Sequence, residues 1–297
     1  MESWCGLPPF RLLAHFRRQE GAPADTSQTG FGGTAMPDVT IPTPRGLMPA
    51  YLALPATPGP APSVVILHDV GGMCNDHRNQ ADWLAEAGFL GLAIDLYYKG
   101  GALLCLRGVI RDLIARSGPA FDDVEACRSW LGAHPNCNGN MGVMGFCMGA
   151  GFTLLLVSGH GLSATSINYG GKLPNDLDEF LEAACPVVAS YGGLAHWEQG
   201  IADQLQETLQ RALAPYDVKE CPDAGHSFMN RRQHFWFKLL RSAGIGYNEP
   251  ATLDAHRRIA AFFHSHLDGS MRTGRANKVA CAAVSGRSNE LSLCSCP

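Results

Sequence analysis

Five residues constrain this chain more than any others: Gly145-Phe146-Cys147-Met148-Gly149. They stand between an apolar run that reads as a strand, Met141 to Gly145, and one that reads as a helix, Met148 towards Val157. The spacing is that of G-x-S-x-G, with sulfur in place of the hydroxyl. A side chain presented at so sharp a strand-to-helix turn needs a strained backbone, and small residues two before and two after it let the flanking segments approach. Gly145 and Gly149 meet that need. The start of a helix also favours negative charge on the sulfur, through the dipole and the free amides. A buried core position is the commonest fate of a cysteine, but the strand before and the helix after favour a nucleophile.

The rest of the chain alternates in the same way. Val39 to Leu54 reads as a hairpin turning at residues 42–46. Ser63 to Leu67 is a β-branched run of the kind buried on both faces of a parallel sheet, ending at His68-Asp69-Val70-Gly71-Gly72. Helices follow at about Asp76–Ala87, with Gly88 as a natural stop, then Ala120–Ala133, Asp203–Ala214 and Ala251–His266. Further strands are expected at Phe89–Ile94, Ala164–Asn168, Pro186–Tyr191 and Tyr216–Cys221. This order predicts an α/β fold, a mostly parallel sheet with helices on both faces.

Hydrophobic residues make up 46% of the chain and charged residues 17%, enough apolar surface for a sizeable core. A formal charge of -4 leaves no broad cationic surface for phosphates, so nucleic acid is not an expected partner. The apolar stretch Leu7 to Phe16 is broken by prolines and arginine, and no run reaches membrane-spanning length. A cytoplasmic, non-membrane protein is expected. The eleven cysteines lack a secretory signal and read as reduced thiols. Cys294 and Cys296 lack the second ligand pair of a zinc site, so no metal is expected. Composition marks residues 1–35 as a flexible extension, 36–268 as the folded domain and 269–297 as a disordered tail.

The base that fits Cys147 is His226, in Asp223-Ala224-Gly225-His226-Ser227-Phe228. It follows the last strand and comes after the nucleophile in the required chain order. His15, His134 and His266 have helical or unremarkable surroundings and read as surface residues.

Gly145–Gly149, the run Ala224-Gly225-His226-Ser227-Phe228-Met229-Asn230, Asp95-Leu96-Tyr97 and the Tyr191-Gly192-Gly193 turn together resemble the dienelactone hydrolase family, over roughly residues 37 to 268. The resemblance implies an α/β-hydrolase fold and cleavage of a small ester or lactone through an acyl-cysteine, with no cofactor and a monomer favoured. It implies an oxyanion hole from the amides of Met148 and Val70, and an acid, Asp69, that contacts the thiol. It also implies substrate-binding roles for Tyr97 and for Lys99, which stands where the family often has an arginine. Arg231 and Arg232 are alternative cations.

One departure matters. The family pattern after the Pro186–Tyr191 strand is Gly-Gly-x-Asp, and this chain has Gly192-Gly193-Leu194-Ala195. Ala195 cannot orient an imidazole. Glu198 and Asp203 are the nearest downstream carboxylates and the candidate acids, while Asp223 lies close in sequence on the other side. The expectation is a weakened hydrolase, raised in activity by Ala195→Asp. The alternative is a catalytically degenerate hydrolase fold kept as a binding or scaffold protein.

Overall fold

The computed structural model describes residues 38–231 and 244–268. The extension 1–35, the tail 269–297 and Arg232 lie outside the described residues. Fifteen elements follow in chain order. They are β1 (Asp38–Thr43), β2 (Gly46–Ala53), β3 (Ala61–Leu67), α1 (Asn75–Glu86), β4 (Leu90–Ile94), α2 (Gly101–Ala115), α3 (Pro119–Gly132) and β5 (Cys137–Phe146), then α4 (Met148–Leu156), β6 (Ala164–Asn168), α5 (Leu177–Leu181), β7 (Val187–Gly192), α6 (Ile201–Arg211), β8 (Tyr216–Cys221) and α7 (Glu249–Leu267).

All eight strands form one sheet in the order β1-β2-β4-β3-β5-β6-β7-β8. β2 pairs antiparallel with β1 and β4, and every other pairing is parallel. The β-branched run of β3 lies at the centre and is buried on both faces, as its composition requires. Val65 and Leu67 pack with α2, α3 and α4, whereas Val64 and Ile66 pack with α1 and α7. Side chains two apart on a strand share a face, so these two clusters are the two faces of the sheet. Gly88, at φ +94°, ends the α1 segment in the left-handed region. Asn248 caps α7 by accepting the Ala251 amide at 3.1 Å.

The expected strands and four long helices are present within a few residues of the expected bounds. Two helices, α2 and α5, were not expected. α2 buries only Val109, Asp112 and Leu113, while Leu103 and Leu104 are exposed. Leu106, Val109, Ile110 and Leu113 recur at helical spacing and pack on the core, a stripe that the sequence carries and that was passed over. Among the described residues no helix is long and apolar enough to cross a membrane.

The chain leaves β3 towards β4 on one side and reaches β5 on the other. That reversal opens a crevice at the C-terminal ends of β3 and β5, the usual ligand position in such sheets. Loops from β3, β4, β5, β6, β7 and β8 all emerge on this edge.

Candidate active site

Cys147 caps α4 with φ +52° and ψ -108°, in the left-handed half of the map that a residue with a side chain rarely occupies. The flanking glycines are a steric necessity. A Cβ on Gly145 would lie 2.2 Å from the Gly149 carbonyl oxygen, and one on Gly149 would lie 2.3 Å from the Leu67 carbonyl oxygen. The turn is also tied to the next strand, because the Cys147 amide donates to the Asn168 carbonyl at 3.1 Å. The sulfur is therefore held, partly exposed, at the first turn of a helix.

His226 leaves the end of β8 in a segment fixed by its own backbone. Its amide donates to the Gly244 carbonyl at 2.7 Å, and its carbonyl accepts the Gly246 amide at 2.9 Å. The imidazole, 14% exposed, is hydrogen-bonded through Nδ1 to the Glu198 carboxylate and lies close enough to the Cys147 sulfur to be influenced by its charge. Burial alone would lower the pKa of the ring. The Cys147 sulfur and the Glu198 carboxylate more than offset this and hold it well above the ordinary histidine value.

Glu198 is fully buried. Its second oxygen accepts the Gly192 amide at 3.2 Å, which fixes the carboxylate against the end of β7. Ala195 is also fully buried, and its carbonyl accepts the Glu198 amide at 2.8 Å. That bond closes a tight turn, so residue 198 stands one turn beyond residue 195 and its longer side chain reaches back to the imidazole. Asp203 is exposed on the first turn of α6, and His226 Nδ1 is already taken by Glu198. Asp223 is exposed, and its carbonyl accepts from Asn248.

The residues beside the sulfur are Met148, Val70 and Tyr97. The Met148 amide begins α4, where the first amides have no intrahelical partner. The Tyr97 hydroxyl lies 3.3 Å from both the Val70 carbonyl oxygen and the Met148 sulfur, so the phenol bridges the two loops that would form an oxyanion hole. Burial raises the Tyr97 phenol above its ordinary pKa, and Asp69 and the Cys147 sulfur add to the effect. Asp69 is buried. Its Oδ1 accepts the Gly71 amide and its Oδ2 accepts Asn230 Nδ2, each at 2.7 Å.

The two cations expected to grip a substrate each lie against neighbours on adjoining segments. The Lys99 ammonium lies 5.2 Å from the Tyr98 ring centroid and against Gly46, at the β1–β2 turn. β2 is three strand spacings from β5, on the order of 14 Å. The Arg231 guanidinium lies 4.7 Å from the Tyr247 ring centroid and 3.4 Å from Glu249, with most of the side chain in solvent. Each has a nearer partner of its own.

Three further residues line the site without having been singled out. Trp197 sets its ring 5.8 Å from that of His226, and Tyr169 stands edge-on to the same imidazole at 5.3 Å. Asn230 accepts the Tyr169 hydroxyl. Trp197 lay in plain view beside the candidate acids. Tyr169 carries no motif, only its place just after a strand on the crevice edge.

The chain is similar to known proteins over most of its folded part. The model of the dienelactone hydrolase family matches residues 48–267. A carboxymethylenebutenolidase of Rhodococcus opacus is 28% identical over 241 residues, covering 73% of this chain and 86% of the relative. That of Pseudomonas putida is 28% identical over 208 residues, covering 67% and 84%. The crystal structure of P91, a dienelactone hydrolase-like promiscuous phosphotriesterase from metagenomic libraries, superposes with a TM-score of 0.66 at 21% identity, covering 78% of this chain and 99% of that one. This chain therefore has the α/β-hydrolase fold and belongs to the dienelactone hydrolase family.

Proposed function

We propose that the chain hydrolyses a small ester or lactone through an acyl-cysteine intermediate, with Cys147 as nucleophile, His226 as acid and base, and Glu198 as the residue that orients the imidazole. The observation that carries this reading is the position of His226, hydrogen-bonded to the buried Glu198 carboxylate and within electrostatic reach of the Cys147 sulfur, which is held on the sharp turn ahead of α4.

The order of steps follows from the geometry. His226 takes the thiol proton, and both partners favour the imidazolium that results. The thiolate attacks the ester carbonyl, and the oxyanion forms beside the amides of Met148 and Val70. Such donors are worth about 3 kcal/mol each where they have been removed singly. Collapse of the tetrahedral species expels the alcohol, which takes its proton from His226. Water then attacks the acyl-cysteine, with His226 removing its proton, and the acid leaves as the thiol is restored. Glu198 keeps Nδ1 occupied, so that Nε2 is the nitrogen that exchanges protons.

With Glu198 in this role, Ala195 no longer argues for a degenerate binding protein, and no specific observation favours that alternative. An esterase and lactonase panel run on the wild type and on Cys147→Ala tests the reading. Turnover lost in the variant, with the fold retained, is the expected result. Undiminished turnover in Cys147→Ala would contradict it.

A further inference from the structure

Behind the reacting groups, one buried thread of hydrogen bonds joins three loops of the site. The Tyr169 hydroxyl donates to Asn230 Oδ1. Asn230 Nδ2 donates to Asp69 Oδ2 at 2.7 Å, and the Gly71 amide donates to Asp69 Oδ1 at 2.7 Å. All three side chains are almost wholly buried.

Each member is attached to a different part of the machinery. Tyr169 follows Asn168, whose carbonyl accepts the Cys147 amide. It holds φ +41° and faces the imidazole edge-on. A non-glycine residue in that region costs on the order of 1–3 kcal/mol and persists only where its surroundings fix it. Asn230 lies four residues beyond His226, and its amide donates to the Ser227 carbonyl at 3.0 Å. Asp69 and Gly71 flank Val70, so the bond between them sets the course of the backbone that carries the Val70 amide.

We propose that the Asp69–Asn230 pair is a positioning brace between the His226 loop and the Val70 loop. In this role Asp69 acts by accepting from Asn230 and Gly71. The proposal rests on the hydrolytic reading above. A buried carboxylate holding two N–H donors is a strong, directional anchor, and a shift of about 1 Å between reacting groups costs on the order of 100-fold in rate.

The polarity of the thread supplies the test. In the double variant Asp69→Asn with Asn230→Asp, the new amide accepts from Gly71 and donates to the new carboxylate. The carboxylate in turn accepts from Tyr169, so these three bonds and the net charge are kept. Asn230→Asp alone sets two carboxylates face to face. Asp69→Asn alone sets two amides together, so Asn230 must turn over and the Tyr169 hydroxyl must accept from Nδ2 instead of donating to Oδ1, with the charge-assisted bond to residue 69 lost.

Steady-state hydrolysis of p-nitrophenyl acetate should show each single variant lowered on the order of 10- to 100-fold in kcat, with KM nearly unmoved. The double variant should return most of the lost kcat. A folded double variant as slow as Asp69→Asn would show that the carboxylate at residue 69 is itself required, and would overturn the brace. Tyr169→Phe serves if the double variant does not fold, because it removes one bond and leaves Asp69–Asn230 intact. A smaller fall in kcat at constant KM is expected there, and wild-type kcat would overturn the thread. Cys147→Ala in the same assay separates the two claims. If it is silent while the exchange fails to rescue, only the brace falls; if it turns over, the hydrolytic reading falls.

Discussion

The carboxylate of Glu198 meets Nδ1 of His226 from one turn beyond Ala195, the position where the family pattern has an aspartate. In the proposed mechanism the orienting role passes to Glu198, whose extra methylene makes up the distance.

The first consequence concerns Glu198→Gln. Loss of the orienting aspartate from a serine triad lowers kcat by about 10⁴-fold. A cysteine forms its ion pair with histidine more readily, so that figure is an upper bound and a loss on the order of 100-fold is expected. Steady-state kinetics on the purified variant decides it. An unchanged kcat would remove Glu198 from the mechanism.

The second concerns Ala195→Asp, which the family pattern alone suggested would raise activity. Ala195 is fully buried beside an acid already in place. A second carboxylate there lacks a cation partner, and an uncompensated buried charge costs about 3–5 kcal/mol. Thermal melting should show clear destabilisation with no gain in kcat/KM. In an Ala195→Asp, Glu198→Ala double variant the aspartate has the imidazole to itself, and activity should exceed that of Glu198→Ala alone.

The third is a pH effect. The folded pKa of His226 lies well above 6.5, held there against burial by Cys147 and Glu198. A raised folded pKa means a stabilising contribution that is fully present below about 6.5 and lost as pH rises through the folded value. Glu198→Gln removes one of the raising partners. Its kcat/KM profile should lose activity at lower pH on the alkaline side than the wild type. Superimposable profiles would mean that Glu198 does not set the protonation of the ring.

The fourth concerns the turn. Gly145→Ala and Gly149→Ala each drive a methyl group into backbone oxygen, at 2.2 Å and 2.3 Å. Backbone cannot rotate away as a side chain can, so destabilisation at or above the 1–3 kcal/mol typical of overpacking (about that range) is expected. Chemical denaturation midpoints measure it. An alanine tolerated at either position would mean that the turn is looser than drawn.

Much of this was legible in the sequence because it depends on local chemistry. The pentapeptide at Cys147 announces a sharp turn through glycine spacing, and β3 announces its burial through an unbroken β-branched run. α2 was passed over although Leu106, Val109, Ile110 and Leu113 stand at helical spacing, among further leucines, Leu103 and Leu104, that stay exposed. The partner of His226 could be narrowed to Glu198 or Asp203, but the choice depended on the Ala195–Glu198 turn, which spacing alone does not reveal. The thread through Tyr169, Asn230 and Asp69 joins residues 61 and 161 apart in sequence. Such pairings are set by the order of strands in the sheet. The aromatic and acidic neighbours of Lys99 and Arg231 lie on adjoining segments for a related reason.

The central claim is that a covalent bond forms at one sulfur. Rapid quenching of the enzyme with p-nitrophenyl acetate, followed by mass analysis of the peptide containing residues 145–149, tests it most directly. An acetyl group on Cys147 that accumulates when deacylation is slowed, as in Glu198→Gln, and that is absent from Cys147→Ala, is the expected result. Ester turnover with no adduct on that peptide, persisting in Cys147→Ala, would contradict it.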